Sequence, residues 1–216
     1  MSFYSDIFVF AAAFLLGALP FAVAISRIFY RTDVRRFGSG NPGATNMLRS
    51  LGPAAGISVL LLDMAKGISA IFIARLIKGY PEFSLLELEA LCGSLAVAGH
   101  IFSPFLLFKG GKGVATALGM IFGLMWGFGL IAFATFALTV ALTRFVSLGS
   151  ILAVWSFPSG LLLFYNDSEI LILLAAAVAL IVTIRHKANL HRLLSGNENR
   201  LTWRGKLRTK QPENSF

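Results

Sequence analysis

Residues able to bind or activate a charged group gather in three polar runs of an otherwise apolar chain. The first is GSGNPGATNMLR at 38–49, where three glycines stand among hydroxyl and amide side chains and Arg49. Glycine lets neighbouring backbone N–H groups point inward together, and such concave turns bind anions. Arginine holds a phosphate through two parallel hydrogen bonds. The run predicts an anion site whose candidate ligands are Ser39, Gly40, Asn41, Thr45, Asn46 and Arg49.

The competing interpretation of this run is an ordinary turn before the helix expected from Pro53, because Ser, Asn and Pro-Gly are common turn residues. A second run, GHIFSPFLLFKGGKGVAT at 99–116, joins two lysines to four glycines ahead of a helix expected from Val114. Free N–H groups at a helix start favour an anion. Glycine, not Ser or Thr, follows Lys112, so this is not a nucleotide-binding P-loop. Its candidate site residues are His100, Ser103, Lys109, Gly110, Gly111 and Lys112.

The third run, RHKANLHR, begins at Arg185, and Glu198 follows it. On one continuous helix Arg185, Asn189 and Arg192 would share a face. A basic stop after a membrane span would explain the arginines. It would not explain His186 or Asn189, which are therefore the more informative members of the run.

Three further polar positions each have two interpretations. Ser150 follows Gly149 at another basic edge, where a small residue permits helix packing and a hydroxyl offers a ligand contact. Asp63 and Lys66 lie three apart within an apolar stretch. Intramembrane charges of this kind mark either a functional site or an internal ion pair that positions helices.

Metal chemistry is disfavoured, because His186 and His191 are five apart and no carboxylate cluster accompanies them. We predict no metal and no cofactor. A histidine followed by aspartate five positions later, typical of base-type membrane acyltransferases, is absent, and so are the paired aspartates of phosphatidyl transferases. Cys92 is the single cysteine, so the chain forms no intrachain disulfide, and we expect it to pack.

The composition requires a bilayer as solvent. Of 216 residues, 56% are hydrophobic and 13% charged, which is more apolar surface than a soluble domain hides. Long Leu, Ile, Val and Ala tracts favour helices over a barrel. The net charge of +9 is concentrated in 31–52, 102–113 and 185–216, whereas 78–89 and 166–169 are acidic. This positive-inside pattern explains the charge without a nucleic-acid partner.

Apolar runs predict spans at 5–28, 54–77, 84–102, 146–165 and 168–185. The apolar stretch 114–143 is long enough for one tilted helix or two short ones. If the basic segments on both sides are cytoplasmic, an even number of crossings must join them. Two short crossings that turn near Gly127–Gly129 meet this requirement, and so does a re-entrant hairpin. The prediction is an all-α integral membrane protein, a polytopic bundle of about seven transmembrane helices, N-terminus outside and C-terminus cytoplasmic.

Taken together, the three runs resemble the bacterial acyl-phosphate:glycerol-3-phosphate acyltransferases, the PlsY family. The resemblance implies seven spans with the motifs on the cytoplasmic face of the bacterial inner membrane. It implies transfer of a fatty acyl group from acyl phosphate to the 1-hydroxyl of glycerol 3-phosphate, giving lysophosphatidic acid and inorganic phosphate in phospholipid synthesis. The expected partners are both substrates, the bilayer and the soluble enzyme that makes acyl phosphate. We expect one acyltransferase domain over 1–198 and a basic cytoplasmic tail over 199–216.

The resemblance also implies roles for individual residues. Catalytic residues would be His100, Lys112, His186 and Asn189. Substrate-binding residues would be Ser39, Gly40, Asn41, Thr45, Asn46, Arg49, Ser103, Lys109, Gly110, Gly111, Ser150, Arg192 and Glu198. The acyl-phosphate head would be held by Ser39, Arg49, Lys112 and Ser150. Glycerol 3-phosphate would be oriented by Lys109, His186 and Asn189, above a floor shaped by Thr45, Asn46 and His100.

Two questions stay open at the level of sequence. Acyl phosphate has a good leaving group, so positioning and charge stabilisation alone could drive the reaction, with a substrate phosphate as proton acceptor. His100 or His186 as general base is the competing hypothesis. The alternative function is a small-anion transporter, although such a site is expected near the membrane midplane and these motifs lie at one membrane edge.

Overall fold

The chain is helical throughout the part that its structure describes. This computed structural model describes residues 3–76, 83–165 and 167–201. Within those ranges it has ten α-helices and no β-strand. They are α1 Phe3–Ala18, α2 Phe21–Tyr30, α3 Ala44–Leu51, α4 Pro53–Ala74, α5 Leu85–Ile101, α6 Val114–Leu124, α7 Trp126–Thr143, α8 Val146–Phe164, α9 Glu169–Arg185 and α10 Lys187–Leu194. The all-α prediction is confirmed for these residues, and α4 and α6 begin at the predicted Pro53 and Val114.

Four helices of the described chain are long and apolar enough to cross a membrane: α4, α5 with the turn after it, α7 and α8. Two bent pairs raise the number to six, α1 with α2 at 42° and α9 with α10 at 64°. Helix α6 has only 11 residues and rises about 16 Å, roughly half the hydrocarbon thickness of a bilayer. The prediction of a multi-helix integral membrane bundle is confirmed, and the count of seven crossings stays a prediction.

The first predicted span, 5–28, is broken near its middle. Helix α1 ends at Ala18, Pro20 has non-helical backbone, and α2 begins at Phe21. Proline has no backbone N–H to continue the helical hydrogen bonding. At the break the Ala18 carbonyl accepts the Ser103 hydroxyl, and the Leu19 carbonyl accepts both the Phe21 N–H and the Lys66 ammonium.

The apolar stretch 114–143 forms two helices, but the predicted turn near Gly127–Gly129 is wrong. The division falls at Met125, whose extended backbone (φ −148°) ends α6 and precedes α7. Both glycines lie inside α7, where Gly129 is used for close packing. A Cβ at Gly129 would lie 2.5 Å from the Phe122 ring of α6.

Helices α4 and α6 approach each other through reciprocal glycine contacts. A Cβ on Gly67 would lie 2.2 Å from the Thr116 carbonyl oxygen, and a Cβ on Gly119 would lie 2.0 Å from the Met64 carbonyl oxygen. No larger residue fits at either place without movement of a backbone, which is the usual reason for glycine at membrane helix crossings. The contact fixes the start of α6, and with it the lysine-bearing loop before it, against α4.

The buried apolar clusters lie between helices, and the large apolar side chains on the outside face the bilayer. Cys92 is fully buried among Ala13, Ala70 and Ala96 of α1, α4 and α5, which confirms its packing role. Leu163 and Leu173 are largely exposed on α8 and α9. Such exposure is expected where lipid replaces water as the solvent.

The folded structure continues past α10 to Leu201, whose N–H donates to the Arg144 carbonyl at 2.7 Å. Arg49 Nη2 donates to the Asn199 carbonyl at 3.1 Å. These contacts hold the segment after α10 against the ends of α3 and α7. Residues 202–216 of the predicted tail, residue 77 of the predicted second span, and parts of both predicted acidic segments lie outside the described residues.

Candidate active site

The first polar run folds into a loop and α3 around the side chain of Asn46. Its Nδ2 donates to the carbonyls of Val34 and Phe37, both at 3.1 Å. Its Oδ1 accepts the Ser39 N–H at 3.1 Å and the Ser50 hydroxyl at 3.4 Å. An asparagine amide offers two donors and two lone pairs, so all of them are used within the chain. Asn46 shapes this loop and has no hydrogen bond left for a ligand.

The other candidates of this run differ in accessibility. Ser39 is exposed, and its hydroxyl accepts the Asn41 N–H at 3.4 Å. The Gly40 N–H donates to the Phe37 carbonyl at 2.9 Å, so it is not the free inward-pointing donor that the glycine pattern predicted. Thr45 is half-buried and makes no hydrogen bond among the described side chains. The run supplies one cation, that of Arg49, to the site described below.

The lysine-bearing loop is tied down by its own glycines. The N–H groups of Gly110 and Gly111 donate to the carbonyls of Ile101 and His100, both at 3.1 Å. These two N–H groups are therefore not free for an anion, contrary to the prediction. Arg185 Nη2 donates to the Gly110 carbonyl at 3.2 Å. The glycines matter because they let the loop lie directly on the last turn of α5.

Glu198 organises the most extensive polar cluster of the described chain. Lys112 Nζ donates to Asn189 Oδ1. Asn189 Nδ2 donates to Glu198 Oε1 at 2.7 Å, as does the Ser147 hydroxyl at 2.9 Å. Arg192 Nε donates to Glu198 Oε2 at 2.8 Å. The Glu198 carboxylate is buried and occupied by protein donors, so we assign it the role of support and not the contact with an anionic substrate that the sequence suggested.

The prediction that Arg185, Asn189 and Arg192 share one helical face is wrong. Helix α9 ends at Arg185, and α10 leaves it at 64°. The bend nevertheless brings these residues to one place, because Arg185 reaches the Gly110 carbonyl while Asn189 meets Lys112.

His186 lies at the bend itself and is buried. Its Nδ1 is 2.8 Å from the Val182 carbonyl oxygen. A carbonyl only accepts, so Nδ1 carries a proton, and Nε2 is the acceptor when the ring is neutral.

Four cations, Arg49, Lys112, Arg185 and Arg192, belong to the cluster: Glu198 acts on Arg49 and Lys112 and bonds Arg192, and Arg185 acts on Lys112. Burial lowers the pKa of Lys112 from 10.5 to about 8, with the three arginines acting in the same direction and Glu198 against it. Burial also lowers the pKa of Arg49. Burial would raise the pKa of Glu198, but hydrogen bonds from Asn189, Ser147 and Arg192 hold it below its ordinary value. The cluster is arranged to gain from a bound anion.

A further sign of an anion site is the Nε of Arg185, which is buried and has no hydrogen-bond partner among the described residues. A buried donor without an acceptor is costly. A phosphate oxygen would accept this hydrogen bond, and the negative charge of the phosphate would balance the excess positive charge of the four cations.

Three of the predicted substrate-binding residues either bond to the protein backbone or point to solvent. The Ser103 hydroxyl is buried and donates to the Ala18 carbonyl at 2.6 Å, which ties the loop to the break in the first span. The Ser150 hydroxyl donates to the Val146 carbonyl of its own helix at 2.8 Å. Lys109 is exposed. We leave all three out of the proposed site.

Sequence reasoning gave no site role to two residues that the fold brings to the cluster. Arg185 was placed on the predicted helical face of the third run but was given no contact with substrate. Ser147 contacts Glu198 across fifty-one positions of sequence, a separation over which no local pattern pairs two residues. Asp63 and Lys66 form the ion pair that was one of two interpretations, with 2.9 Å between Lys66 Nζ and Asp63 Oδ1.

An apolar cleft opens beside the cluster between α4, α6, α7 and α8. Val114 and Ala115 line one part of it, two and three residues after Lys112. The rest of the lining is also apolar: Leu60, Met64, Leu118, Ile121, Ala132, Phe133, Phe136, Ala153 and Val154. Among the described residues, no group of three His, Cys, Asp or Glu side chains is arranged to hold a metal.

Comparisons with known proteins agree on one family. Residues 7–196 match the family model described as glycerol-3-phosphate acyltransferase. The glycerol-3-phosphate acyltransferase of Chlorobium luteolum is 39% identical over 225 aligned positions, covering 90% of this chain and 96% of its own. That of Thermotoga petrophila is 42% identical over 189, covering 87% and 92%.

Solved structures lead to the same family. The crystal structure of PlsY (YgiH), an integral membrane glycerol 3-phosphate acyltransferase, in its glycerol 3-phosphate form has a TM-score of 0.83 and 34% identity, covering 92% of this chain and 96% of that one. Its lysophosphatidic acid form has a TM-score of 0.80 and 33% identity over the same shares. These similarities favour an enzyme over the transporter alternative. The chain belongs to the family of integral membrane glycerol-3-phosphate acyltransferases.

Proposed function

We propose that this acyltransferase uses acyl phosphate as donor and the 1-hydroxyl of glycerol 3-phosphate as acceptor, and releases lysophosphatidic acid and inorganic phosphate. The observation that carries the proposal is the cluster of four cations held around one occupied carboxylate, Glu198. Both substrates bring a phosphate, and the donor leaves one behind. A site with this excess of positive charge suits two phosphates better than one.

In this proposal Arg49 and Lys112 hold the phosphate of the donor, and Arg185 and Arg192 complete the positive field around both phosphates. Asn189 and His186 orient glycerol 3-phosphate. Arginine offers paired donors in a plane, whereas lysine acts as a movable point charge. Lys112 lies nearest the apolar cleft in sequence and is therefore the cation expected beside the reacting carbon.

The reaction needs one bond to form and one to break. The 1-hydroxyl oxygen attacks the acyl carbon, and the bond from that carbon to the phosphate oxygen breaks, so phosphate leaves with the electron pair. The hydroxyl proton passes either to Nε2 of His186 or to a substrate phosphate. Charge grows on the acyl oxygen and the leaving phosphate in the transition state, where a positioned cation such as Lys112 is most effective.

The two proton acceptors can be told apart by replacing His186. Loss of an essential general base costs about 100-fold or more in turnover, so a His186→Ala enzyme that keeps turnover within a few-fold would assign the proton to a phosphate. His191→Ala is the matched control, because His191 is exposed on α10.

The acyl chain of the donor is proposed to lie in the apolar cleft between α4, α6, α7 and α8. The lining is apolar, and because the acyl chain arrives from lipid and not from water, the packing of the chain against this lining, and not the hydrophobic effect, would distinguish chain lengths. Ala132→Phe and Ala153→Phe would narrow the cleft from two sides. Both should raise KM for long-chain donors more than for short ones, whereas a cleft without this role would give equal changes for all chain lengths.

We propose that the chain crosses the bacterial inner membrane seven times, with the N-terminus outside, the active site and C-terminus cytoplasmic, and a soluble enzyme supplying acyl phosphate from the cytoplasm. In a Cys92→Ala background, Asp167→Cys should react with an impermeant maleimide from outside. Lys187→Cys should react only after the inner membrane is opened. Labelling of both from the same side would contradict this arrangement.

The proposed acyltransferase domain covers 1–198 together with its packed extension to Leu201. Residues 202–216 are a basic tail to which we assign no catalytic role. Removal of 202–216 should leave kcat unchanged within about twofold in neutral lipid. Removal of all residues after Glu198 should lower activity, because Arg49 then loses the backbone carbonyl of Asn199 and the Arg144 carbonyl loses the N–H of Leu201.

The donor assignment is tested on purified protein in lipid, with labelled glycerol 3-phosphate and either palmitoyl phosphate or palmitoyl-CoA. We expect product and phosphate release from palmitoyl phosphate only, abolished in Arg49→Ala. Arg36→Ala is the matched control, since Arg36 is an exposed arginine just before the same loop. Turnover with palmitoyl-CoA would overturn the proposed donor.

A further inference from the structure

A buried ammonium group next to the proposed site has a complete set of partners. Lys66 Nζ lies 2.9 Å from Asp63 Oδ1, 3.2 Å from the Leu19 carbonyl oxygen and 2.8 Å from His100 Nδ1. Lys66 and Asp63 are 3% and 2% exposed. An ammonium has three N–H donors and no acceptor, so these three neighbours take all of its hydrogens.

This arrangement determines where His100 carries its proton. Lys66 is an ion-pair partner of Asp63 and donates to Nδ1, so Nδ1 must present its lone pair. In a neutral imidazole the proton then resides on Nε2. A doubly protonated ring would point an N–H at the ammonium. Asp63 Oδ1 also lies near Nδ1, but at 3.6 Å it is beyond hydrogen-bond distance, so the ammonium at 2.8 Å is the partner of Nδ1.

The Nε2 atom of His100 faces the lysine-bearing loop. A Cβ on Gly111 would lie 2.1 Å from it, and the Gly111 N–H donates to the His100 carbonyl at 3.1 Å. No described residue accepts a hydrogen bond from Nε2, and 8% of the His100 surface remains exposed. Its N–H is thus available at the base of the loop that carries Lys112.

We propose that the Asp63–Lys66 pair holds His100 as its Nε2–H tautomer, so that His100 donates a hydrogen bond to a substrate phosphate at the Gly110–Lys112 loop and is not a general base. Asp63 and Lys66 are positioning residues that act through the ring. The inference rests on the proposed function for the phosphate, but the tautomer itself does not depend on any substrate.

The two buried histidines of the site thereby take opposite roles. His186 donates from Nδ1 to the Val182 carbonyl and offers Nε2 as an acceptor. His100 accepts at Nδ1 and offers Nε2–H as a donor. Of the two bases considered from the sequence, only His186 keeps a lone pair available to substrate.

The direct test is nitrogen-15 NMR of histidine-labelled protein in lipid at neutral pH, without substrate. The chain has three histidines, and the His100 signals are those lost in His100→Gln. We expect a protonated Nε2 and an unprotonated Nδ1 at His100, and the reverse at His186. A protonated Nδ1 or a doubly protonated ring at His100 would overturn the proposal.

Kinetics of paired variants test the donor role. Glutamine places an amide N–H close to where Nε2 lies, whereas asparagine places its amide near Nδ1. We expect His100→Gln to keep kcat/KM within about tenfold, and His100→Ala and His100→Asn to lose about 100-fold, as for a lost transition-state donor. Equal, large losses in all three variants would contradict the donor role.

The outcomes separate this inference from the proposed function. An inactive wild type with the expected tautomers would refute the acyl-phosphate reaction and leave the tautomer assignment standing. A wild type that is active with palmitoyl phosphate but carries the other His100 tautomer would support the acyl-phosphate reaction and refute the tautomer assignment. Lys66→Met, if it folds, should release His100 into a mixture of tautomers, and if it does not fold, the wild-type spectrum and the glutamine variant still decide.

Discussion

Two polar clusters of this protein each contain one carboxylate, and they differ in how many cations surround it. Asp63 is balanced within the bundle by Lys66, whose three donors are all accepted. Glu198, at the edge of the bundle, is surrounded by four cations and leaves their charge in excess. We propose that the closed network fixes helices and a histidine tautomer, whereas the open network binds anions.

In both clusters the carboxylate supports neighbouring side chains and does not itself contact the substrate. Neither Asp63 nor Glu198 is placed to meet a negatively charged substrate. Each is proposed to orient a group that does: Asp63 acts through Lys66 on His100, and Glu198 acts on Asn189. The two clusters meet at the Gly110–Lys112 loop, which lies on His100 and reaches Asn189.

The largest expected effect comes from breaking the closed network on one side. Asp63→Asn leaves the Lys66 ammonium buried without its counter-ion, and removing one partner of a buried ion pair costs about 3–5 kcal/mol of unfolding free energy. Asp63→Leu combined with Lys66→Met removes both charges and should cost much less. Thermal unfolding in detergent micelles measures both. A double variant no more stable than the single one would show that the network is more than a balanced pair.

Removing a cation from the open network should affect catalysis and leave stability nearly intact. Lys112→Met is expected to lower kcat/KM by about 100- to 1,000-fold, as for loss of a charged donor at the transition state. Lys187→Met is the matched control, because Lys187 is exposed beside the same bend. Similar losses in the two variants would point to general surface charge and not to a built site.

Glu198→Ala tests whether the carboxylate supports the site or merely repels its ligand. Support predicts a loss of about 10- to 100-fold in kcat/KM, because charge-assisted hydrogen bonds contribute about 1.5–3 kcal/mol and Asn189 and Arg192 lose theirs. A tighter KM for glycerol 3-phosphate would instead show simple repulsion. Glu169→Ala, which removes an exposed carboxylate at the far end of α9, is the control.

The pH dependence should report Lys112. Its pKa of about 8 means that the free enzyme loses this charge as pH rises through 8, and kcat/KM should fall about tenfold per unit above that. Lys112→Arg should flatten the decline.

The free energy of unfolding should rise with pH over the same range. Lys112 binds its proton less readily in the folded than in the unfolded state, so between about pH 8 and 10.5 the destabilisation caused by its buried charge is lost as pH rises.

The smallest expected effect belongs to a pair that matches Asp63–Lys66 in distance and has a buried carboxylate, but whose cation is exposed. Arg75 Nε lies 2.9 Å from Glu89 Oε1; the Glu89 side chain is 8% exposed and the Arg75 side chain 53% exposed, so water can replace the arginine at the carboxylate. Exposed pairs contribute about 1 kcal/mol or less, so Arg75→Met should shift the unfolding midpoint little. A loss as large as that of Asp63→Asn would mean that burial is not what separates the two pairs.

Sequence reasoning reached the all-helical membrane bundle, the family and most of the cationic residues, because these depend on composition and local pattern. It misplaced the turn in 114–143, because one extended residue, Met125, is enough to end a helix and carries no special signal. It treated Arg185 to Arg192 as one helix, because periodicity cannot reveal a 64° bend at His186. It expected glycine N–H groups to be free, although those of Gly110 and Gly111 bond to α5.

The sequence by itself determined that the chain is a helical membrane protein of the glycerol-3-phosphate acyltransferase family. It also predicted that the basic segments share one side of the membrane. Hydropathy and charge are properties of residues and their order, so they can be read without coordinates. Only the tertiary structure decided that Glu198 is occupied by protein donors and that Lys66 completes its three hydrogen bonds on His100. Hydrogen-bond partners far apart in the chain depend on how the helices pack, and that packing determines which polar groups remain free for a substrate.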